Sequence, residues 1–222
     1  MKRWIIFMAF GYWAASAQAQ TIQGRVVDAK SNEPLPFANV FINNSTLGTT
    51  TELDGSFILK NVRQPAVYEV IFSFVGYESY KLKISLTQDE LKVGTIKLKA
   101  SEEMLSTIEV KGSRDTQWEK KFKRFNKIFM GDDAGAALCE IKNSWALEFD
   151  EADGKFVAKA TQPLDIENRY LGYKQVFFLR SFSADGTSYL IEGNVRFDEL
   201  PAADEDERMR WAANRARSYG HS

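Results

Sequence analysis

Gly48-Thr49-Thr50-Thr51-Glu52-Leu53-Asp54-Gly55-Ser56-Phe57-Ile58-Leu59 is the stretch whose reading decides the fold. Threonine-rich and apolar runs flank Asp54-Gly55, and an Asp-Gly step between such flanks suits a tight hairpin because both residues tolerate positive φ. The same alternation of strand and turn continues outward. Thr21 to Ala29 and Ala38 to Ile42 read as strands before it. Between them, Ser31-Asn32-Glu33-Pro34-Leu35-Pro36 holds two prolines that forbid regular pairing. Tyr68 to Phe74, ended by Gly76, then Tyr80 to Ile84, Val93 to Leu98 and Leu105 to Val110 read as strands after it. About seven short strands at this spacing predict a mainly β protein beginning with an antiparallel sandwich, not a helix-bearing α/β fold.

The four pieces of this region have a further meaning together. Gln23-Gly24-Arg25-Val26-Val27-Asp28, Pro34-Leu35-Pro36-Phe37-Ala38-Asn39-Val40, Gly48 to Phe57, and Phe74-Val75-Gly76-Tyr77 occur in the order of the carboxypeptidase-like regulatory domain family, which the segment about 21–113 resembles. The resemblance implies a transthyretin-like (prealbumin/Ig-like) sandwich of seven strands. It also implies an origin among exported Bacteroidota proteins, where such domains stand at the N-terminus, and a role in binding sugar or protein. The matched residues have fold-keeping reasons: Gly24 and Gly76 relieve crowding, and Ala38, Val40, Phe57 and Phe74 are expected to face the core. None of them implies a reaction.

Export is read from residues 1–19. Lys2 and Arg3 form a basic start, Trp4 to Ala15 is uncharged and apolar, and Ser16-Ala17-Gln18-Ala19 supplies small residues for cleavage before Gln20. The apolar run is shorter than the ~20 residues that a membrane span needs. The expected location is the periplasm, the outer-membrane surface or the medium. A formal net charge of −1 gives no global field for nucleic acid, so no nucleic-acid partner is expected.

The chain beyond Gly112-Ser113-Arg114-Asp115 reads as a smaller α+β module over 114–222, similar to an uncharacterised segment that follows such domains. Trp118, Phe122, Phe125 and Phe129 recur at helical spacing among Lys120, Lys121, Lys123, Arg124 and Lys127. Two readings are open for this Trp118–Phe129 helix: an aromatic stripe packed on a sheet, or a basic membrane-surface helix. The first is favoured, because a sheet follows: Leu138 to Phe149, Lys155 to Ala160, Tyr173 to Phe182 and Ser188 to Phe197, with hairpin turns at Asp153-Gly154 and Asp185-Gly186. Pro163 to Leu171 reads as an extended or turn segment. A last helix is expected from Pro201, with acids at 204–207 in its first turn and Asp204–Arg208 and Asp206–Arg210 pairs worth ~0.3 kcal/mol each. The chain stops at Tyr219-Gly220-His221-Ser222 without a cap signal, which leaves open the reading that it is part of a longer envelope protein or enzyme.

Chemistry is sparse. The chain has a single histidine, His221, so a zinc peptidase's ligand set and a catalytic Cys–His pair at Cys139 both lack partners. Asp150-Glu151-Ala152-Asp153-Gly154 resembles the start of a calcium loop, but Thr161 stands where its closing Glu belongs. No nucleophile elbow, phosphate loop or dinucleotide fingerprint occurs, and no cofactor is expected. Tyr77 with Tyr80, and Tyr170 with Tyr173, could offer sugar-stacking rings, although core packing or edge protection suits each better. The expected function is a non-catalytic envelope accessory protein that binds a protein or glycan. The alternative is a carbohydrate-binding module of a polysaccharide-handling system.

Overall fold

Alternation along each run decides which residues turn inward. In the computed structural model, residues 20–62, 67–86, 89–101, 116–152 and 154–219 are described. The first part comprises β1 (Gln20–Asp28), β2 (Asn39–Ile42), β3 (Gly48–Thr50), β4 (Ser56–Val62), β5 (Val67–Ser73), β6 (Tyr80–Ser85) and β7 (Glu90–Leu98). They form two sheets, ordered β4-β1-β7 and β3-β2-β5-β6, packed over one core. Ile22, Val26, Val40, Phe57, Val70 and Phe72 are buried between them, as their period-2 spacing requires. The expected inward residues Ala38, Val40 and Phe57 are buried, and Phe74 packs partly buried on the same cluster.

Two details differ from the expected sandwich. The pair β1–β7 is parallel, while all other pairs are antiparallel. Asp54-Gly55 does not close a hairpin, because β3 and β4 lie in different sheets. The turn is an arch that crosses the sandwich, with Gly55 in the left-handed region (φ 79°) and its added Cβ only 2.5 Å from the Val26 carbonyl oxygen. The leader 1–19, the expected strand Leu105–Val110, the joint at 112–115 and His221 lie outside the described residues.

The second part opens with α1 (Thr116–Met130) and continues through β8 (Cys139–Ile141), β9 (Leu147–Ala152), β10 (Lys155–Ala160), β11 (Leu164–Asn168), β12 (Tyr173–Ala184), β13 (Tyr189–Glu199) and α2 (Glu205–Tyr219). Its six strands make one antiparallel sheet ordered β8-β11-β12-β10-β9, with β13 on the other edge of β12. The expected single strand from Leu138 to Phe149 is broken. Asn143 diverts it: its side-chain amide donates to the Pro163 carbonyl at 2.8 Å, and its Oδ1 accepts the Asp165 N–H at 2.7 Å. A short 3-10 turn (Ser144–Ala146) follows before β9. Within the segment 163–171, β11 is a full strand, with Leu164, Ile166 and Asn168 facing inward.

α1 lays its aromatic stripe on the sheet. Phe125 is fully buried, with ring centroids 4.7 Å from Phe182 and 5.6 Å from Phe149, and Phe129 meets Phe177 edge-on at 5.1 Å. The Trp118 indole N–H donates to the Leu147 carbonyl at 3.2 Å. The stripe is therefore occupied by the protein's own core, which removes the apolar face that a membrane-surface helix would need.

α2 does not cover the sheet; it caps the turn between β11 and β12. Trp211, Asn214 and Arg215 donate to the carbonyls of Arg169, Tyr170, Leu171 and Gly172 at 2.7–3.2 Å. Gly172 permits this approach, since a Cβ there would stand 2.2 Å from the Trp211 ring. The expected Asp204–Arg208 and Asp206–Arg210 pairs are replaced by Glu205–Arg208 and Glu207–Arg210, one residue closer in sequence. Asp204 is engaged otherwise, accepting the Glu207 N–H as the helix cap at 2.8 Å.

The two parts are joined directly. Phe41 and Phe178 stack at 5.1 Å, with Ile71 completing a buried cluster on the outer face of the β2–β5 pair. The β2–β3 turn lies along the outer edge of β13: the Asn44 N–H donates to Val195 at 3.0 Å, and the Phe197 N–H donates to Ser45 at 2.9 Å. Arg196 reaches back to Asn39 Oδ1 at 3.1 Å.

Candidate functional site

The sandwich is open along one flank. Hydrogen-bond parity shows which groups face the opening. The bond from the Val26 N–H to Gly55 makes Phe57 and Leu59 the residues that bond to β1, so Ile58 directs its N–H and C=O away from it. On the other sheet, the bonds from Ile42 to Leu47 and from Thr51 to Ala38 assign Thr49 to β2. Gly48 and Thr50 therefore point their backbone groups away from β2. One bond, from the Glu52 N–H to Ser56 at 2.8 Å, ties the two edges together at the arch, and beyond it they diverge.

The cleft between them measures about 560 Å³. Thr46, Thr49, Thr50 and Ser56 line it together with Leu47, Phe57 and Ile58. Glu52 stands at the arch end and Lys60 at the far end, both exposed. Near Lys60, β4 slips register against β1, and Asn61 takes a left-handed φ of 63°, which bends the strand away. This cleft can hold an extended or hydroxyl-bearing ligand, and it contains no nucleophile–base pair.

The residues singled out from sequence do not meet there. Tyr77 packs on Phe74 and donates to Asp28; burial and that carboxylate push its hydroxyl pKa up. Asp28 in turn sits below the usual carboxylate range, chiefly through the Ser31 and Lys30 N–H groups. Tyr80 leans on Phe72, while Tyr173 lies under the Arg215 guanidinium at 3.9 Å and against Phe197. Tyr170 offers its carbonyl to Asn214. The four rings belong to two separate parts of the molecule and form no common platform.

Cys139 is half-buried, its thiol donates to the Gly135 carbonyl at 3.4 Å, and burial and Asp133 push its pKa up, which keeps it in the unreactive thiol form. Asp150 and Glu151 lie on β9 leading into the β9–β10 turn, and among the described residues no group of three potential ligands could hold a metal ion. No helix among the described residues is long and apolar enough to cross a membrane.

Sequence reading missed the cleft and two exposed aromatics. Phe37 is 64% exposed with a left-handed φ of 60°, and Trp145 on the 3-10 turn is 60% exposed. Pro36 before Phe37 signalled a turn, but no local pattern marks an aromatic residue at positive φ.

Comparison with known proteins places the first part. Over 71 residues the chain is 37% identical to the TonB-dependent receptor SusC of Bacteroides thetaiotaomicron, a match covering 32% of this chain and 7% of the receptor. Among solved structures it is similar to a type II cohesin–X-dockerin complex from Acetivibrio cellulolyticus, at 24% identity and TM-score 0.31, over 36% of this chain and 58% of that one. It is also similar to a DUF3823 family protein from Bacteroides ovatus, at 10% identity and TM-score 0.27, over 82% of each chain. The family model of the CarboxypepD_reg-like domain matches residues 22–110.

Proposed function

We propose that the chain is a non-catalytic accessory protein of the bacterial cell envelope, exported by residues 1–19, in which a sandwich domain (20–113) fixed to an α+β module (114–222) binds a protein partner. The observation that supports it best is the cleft between β3 and β4. It is an open cleft of about 560 Å³ lined by strand-edge, threonine and serine residues, and its lining holds no pair of groups placed for acid–base or nucleophilic chemistry. The domain match and the short stretch shared with a TonB-dependent receptor support the envelope setting. A polysaccharide ligand is the alternative, favoured by the threonine and serine lining.

The test uses the full chain. Expressed with its leader in a Bacteroides host, it is expected in the envelope fraction with Gln20 as its first residue. Displayed peptides and a glycan array are then screened for saturable binding. Recovery in the cytoplasm with residues 1–19 intact, together with no binding in either screen, would overturn the proposal.

A further inference from the structure

We infer that the cleft between β3 and β4 receives one extended polypeptide segment as an added strand, with a basic residue of the segment toward Glu52 and an acidic one toward Lys60. This rests on the reading of the chain as a binding protein and states how it binds.

Strand edges are normally defended, because a row of unpaired N–H and C=O groups is a template for another chain. The other edges of the sandwich follow that rule. β6 carries Lys81 and Lys83 along its edge, and β7 carries Lys92 and Lys97. Past its C-terminal end, β7 is also closed by bonds from Glu78 to Lys99 and from Ser101 to Gly76. The outer edge of β13 is covered at 195–197 by the chain's own β2–β3 turn, so this molecule already uses strand-edge addition once.

The β3–β4 flank is different. Gly48 and Thr50 on one side and Ile58 on the other turn their backbone groups away from β2 and β1, all three line the cleft, and no strand among the described residues pairs with these edges. The Thr50 carbonyl accepts the Thr49 hydroxyl at a long 3.4 Å. The Ile58 side chain is 50% exposed, with no charge at its own position. Two facing edges can bond both sides of one inserted strand, which suits a peptide backbone better than a sugar ring. Opposite charges at the two ends give the inserted segment a direction.

The edge geometry also supplies a selective variant. Ile58→Pro deletes an N–H that β1 does not use, a change that edge positions tolerate. A random dodecapeptide display library is screened against the full chain, and enriched peptides are titrated by calorimetry. Expected are peptides pairing one basic and one acidic residue, with affinity falling at least ~10-fold in Ile58→Pro. Bound peptide should slow amide hydrogen exchange at Gly48, Thr50 and Ile58 by ~10-fold or more. A Glu52→Lys/Lys60→Glu double variant should prefer peptides of reversed order.

If Ile58→Pro does not fold, the exchange pattern of the unaltered chain decides. No enriched peptide, full affinity in a folded Ile58→Pro, or protection confined to other residues each overturns strand addition. A glycan that saturates the chain while those three amides exchange unchanged also overturns it, yet leaves the binding-protein reading standing. Absence of both peptide and glycan binding removes both.

Discussion

The sandwich core is largely aliphatic, whereas the second module's core is built around a connected cluster of phenylalanines. Ile22, Val26, Val40, Leu59, Val70 and Ile96 meet between two sheets, with Phe57 and Phe72 as the buried rings. Phe125, Phe156 and Phe182 centre the other core, and Phe122, Phe129, Phe149 and Phe177 pack around them. The difference follows from what covers each sheet. A second sheet presents branched side chains at regular spacing, whereas α1 presents the aromatic stripe of Phe122, Phe125 and Phe129 to its sheet. The sandwich thus distributes its stability over many small contacts, and the second module concentrates it beneath α1.

The sharpest way to break the comparison is Phe125→Ala. This ring touches Phe129, Phe149 and Phe182 within 5.6 Å, and its removal should cost about 3–5 kcal/mol. Urea unfolding followed by tryptophan emission would show it, since Trp118 and Trp145 lie in the second module. A loss under about 1 kcal/mol would mean the ring cluster is not the keystone of that core. A trimmed valine or leucine in the sandwich should cost less, because its neighbours share the load.

Next in size is the contact between the two parts. Phe178→Ala removes the ring stacked on Phe41 and should cost about 3 kcal/mol. It should also separate one cooperative unfolding transition into two, read by differing midpoints for tryptophan emission and far-ultraviolet circular dichroism. Coincident midpoints in the variant would show that the Asn43–Ser45 bonds to β13 suffice to couple the parts.

Backbone strain also divides the two regions. Among the described residues, the non-glycine positions at positive φ are Asn32, Phe37, Asn44 and Asn61, all in the sandwich; the second module uses only glycines there. Asparagine tolerates this region, and Phe37 does not. Phe37→Asn should therefore raise stability by about 1 kcal/mol, measured as a higher thermal midpoint. A decrease would show that the exposed ring makes contacts outweighing its strain.

The unequal legibility of the two halves has the same origin. Ala38 with Val40, and Phe57 with Leu59, recur at period two, so Ala38, Val40 and Phe57 could be placed inward from sequence alone. The second half conceals its plan in side chain-to-backbone bonds. Asn143 splits a run that looks continuous, and Arg215, which reads as a surface charge, holds the Leu171 and Gly172 carbonyls. β11 alternates Leu164-Asp165-Ile166-Glu167 as a strand does, but it is only five residues long and begins directly after Pro163, a turn signal that masks it. The cleft was invisible for another reason: Asp54-Gly55 signals a turn but does not say whether the chain returns to the same sheet.

The smallest expected effect compares two aspartate turns. Asp54 accepts the Ser56 N–H at 2.9 Å in the arch. Asp185, in the β12–β13 turn, accepts the N–H and hydroxyl groups of both Thr187 and Ser188 at 2.9–3.1 Å. Those bonds, led by the Ser188 and Thr187 amides, hold the Asp185 carboxyl far below the usual carboxylate range. Asp54 is lowered too, by Ser56 first. A carboxyl whose pKa is depressed by folding contributes stability that is complete above its unfolded value near ~3.9 and is lost as pH falls toward the folded one. Thermal midpoints from pH 5 to 2 should thus fall less steeply in Asp185→Asn than in the unaltered chain. Asp54→Asn should change the slope less, because the Ser56 groups lead a smaller set of bonds there, with the Arg25 charge adding less. Both aspartates are fully exposed, so added salt should shrink each difference without reversing their order. Equal slopes for all three proteins would mean that neither turn is ordered by its aspartate, leaving strand pairing alone to set both.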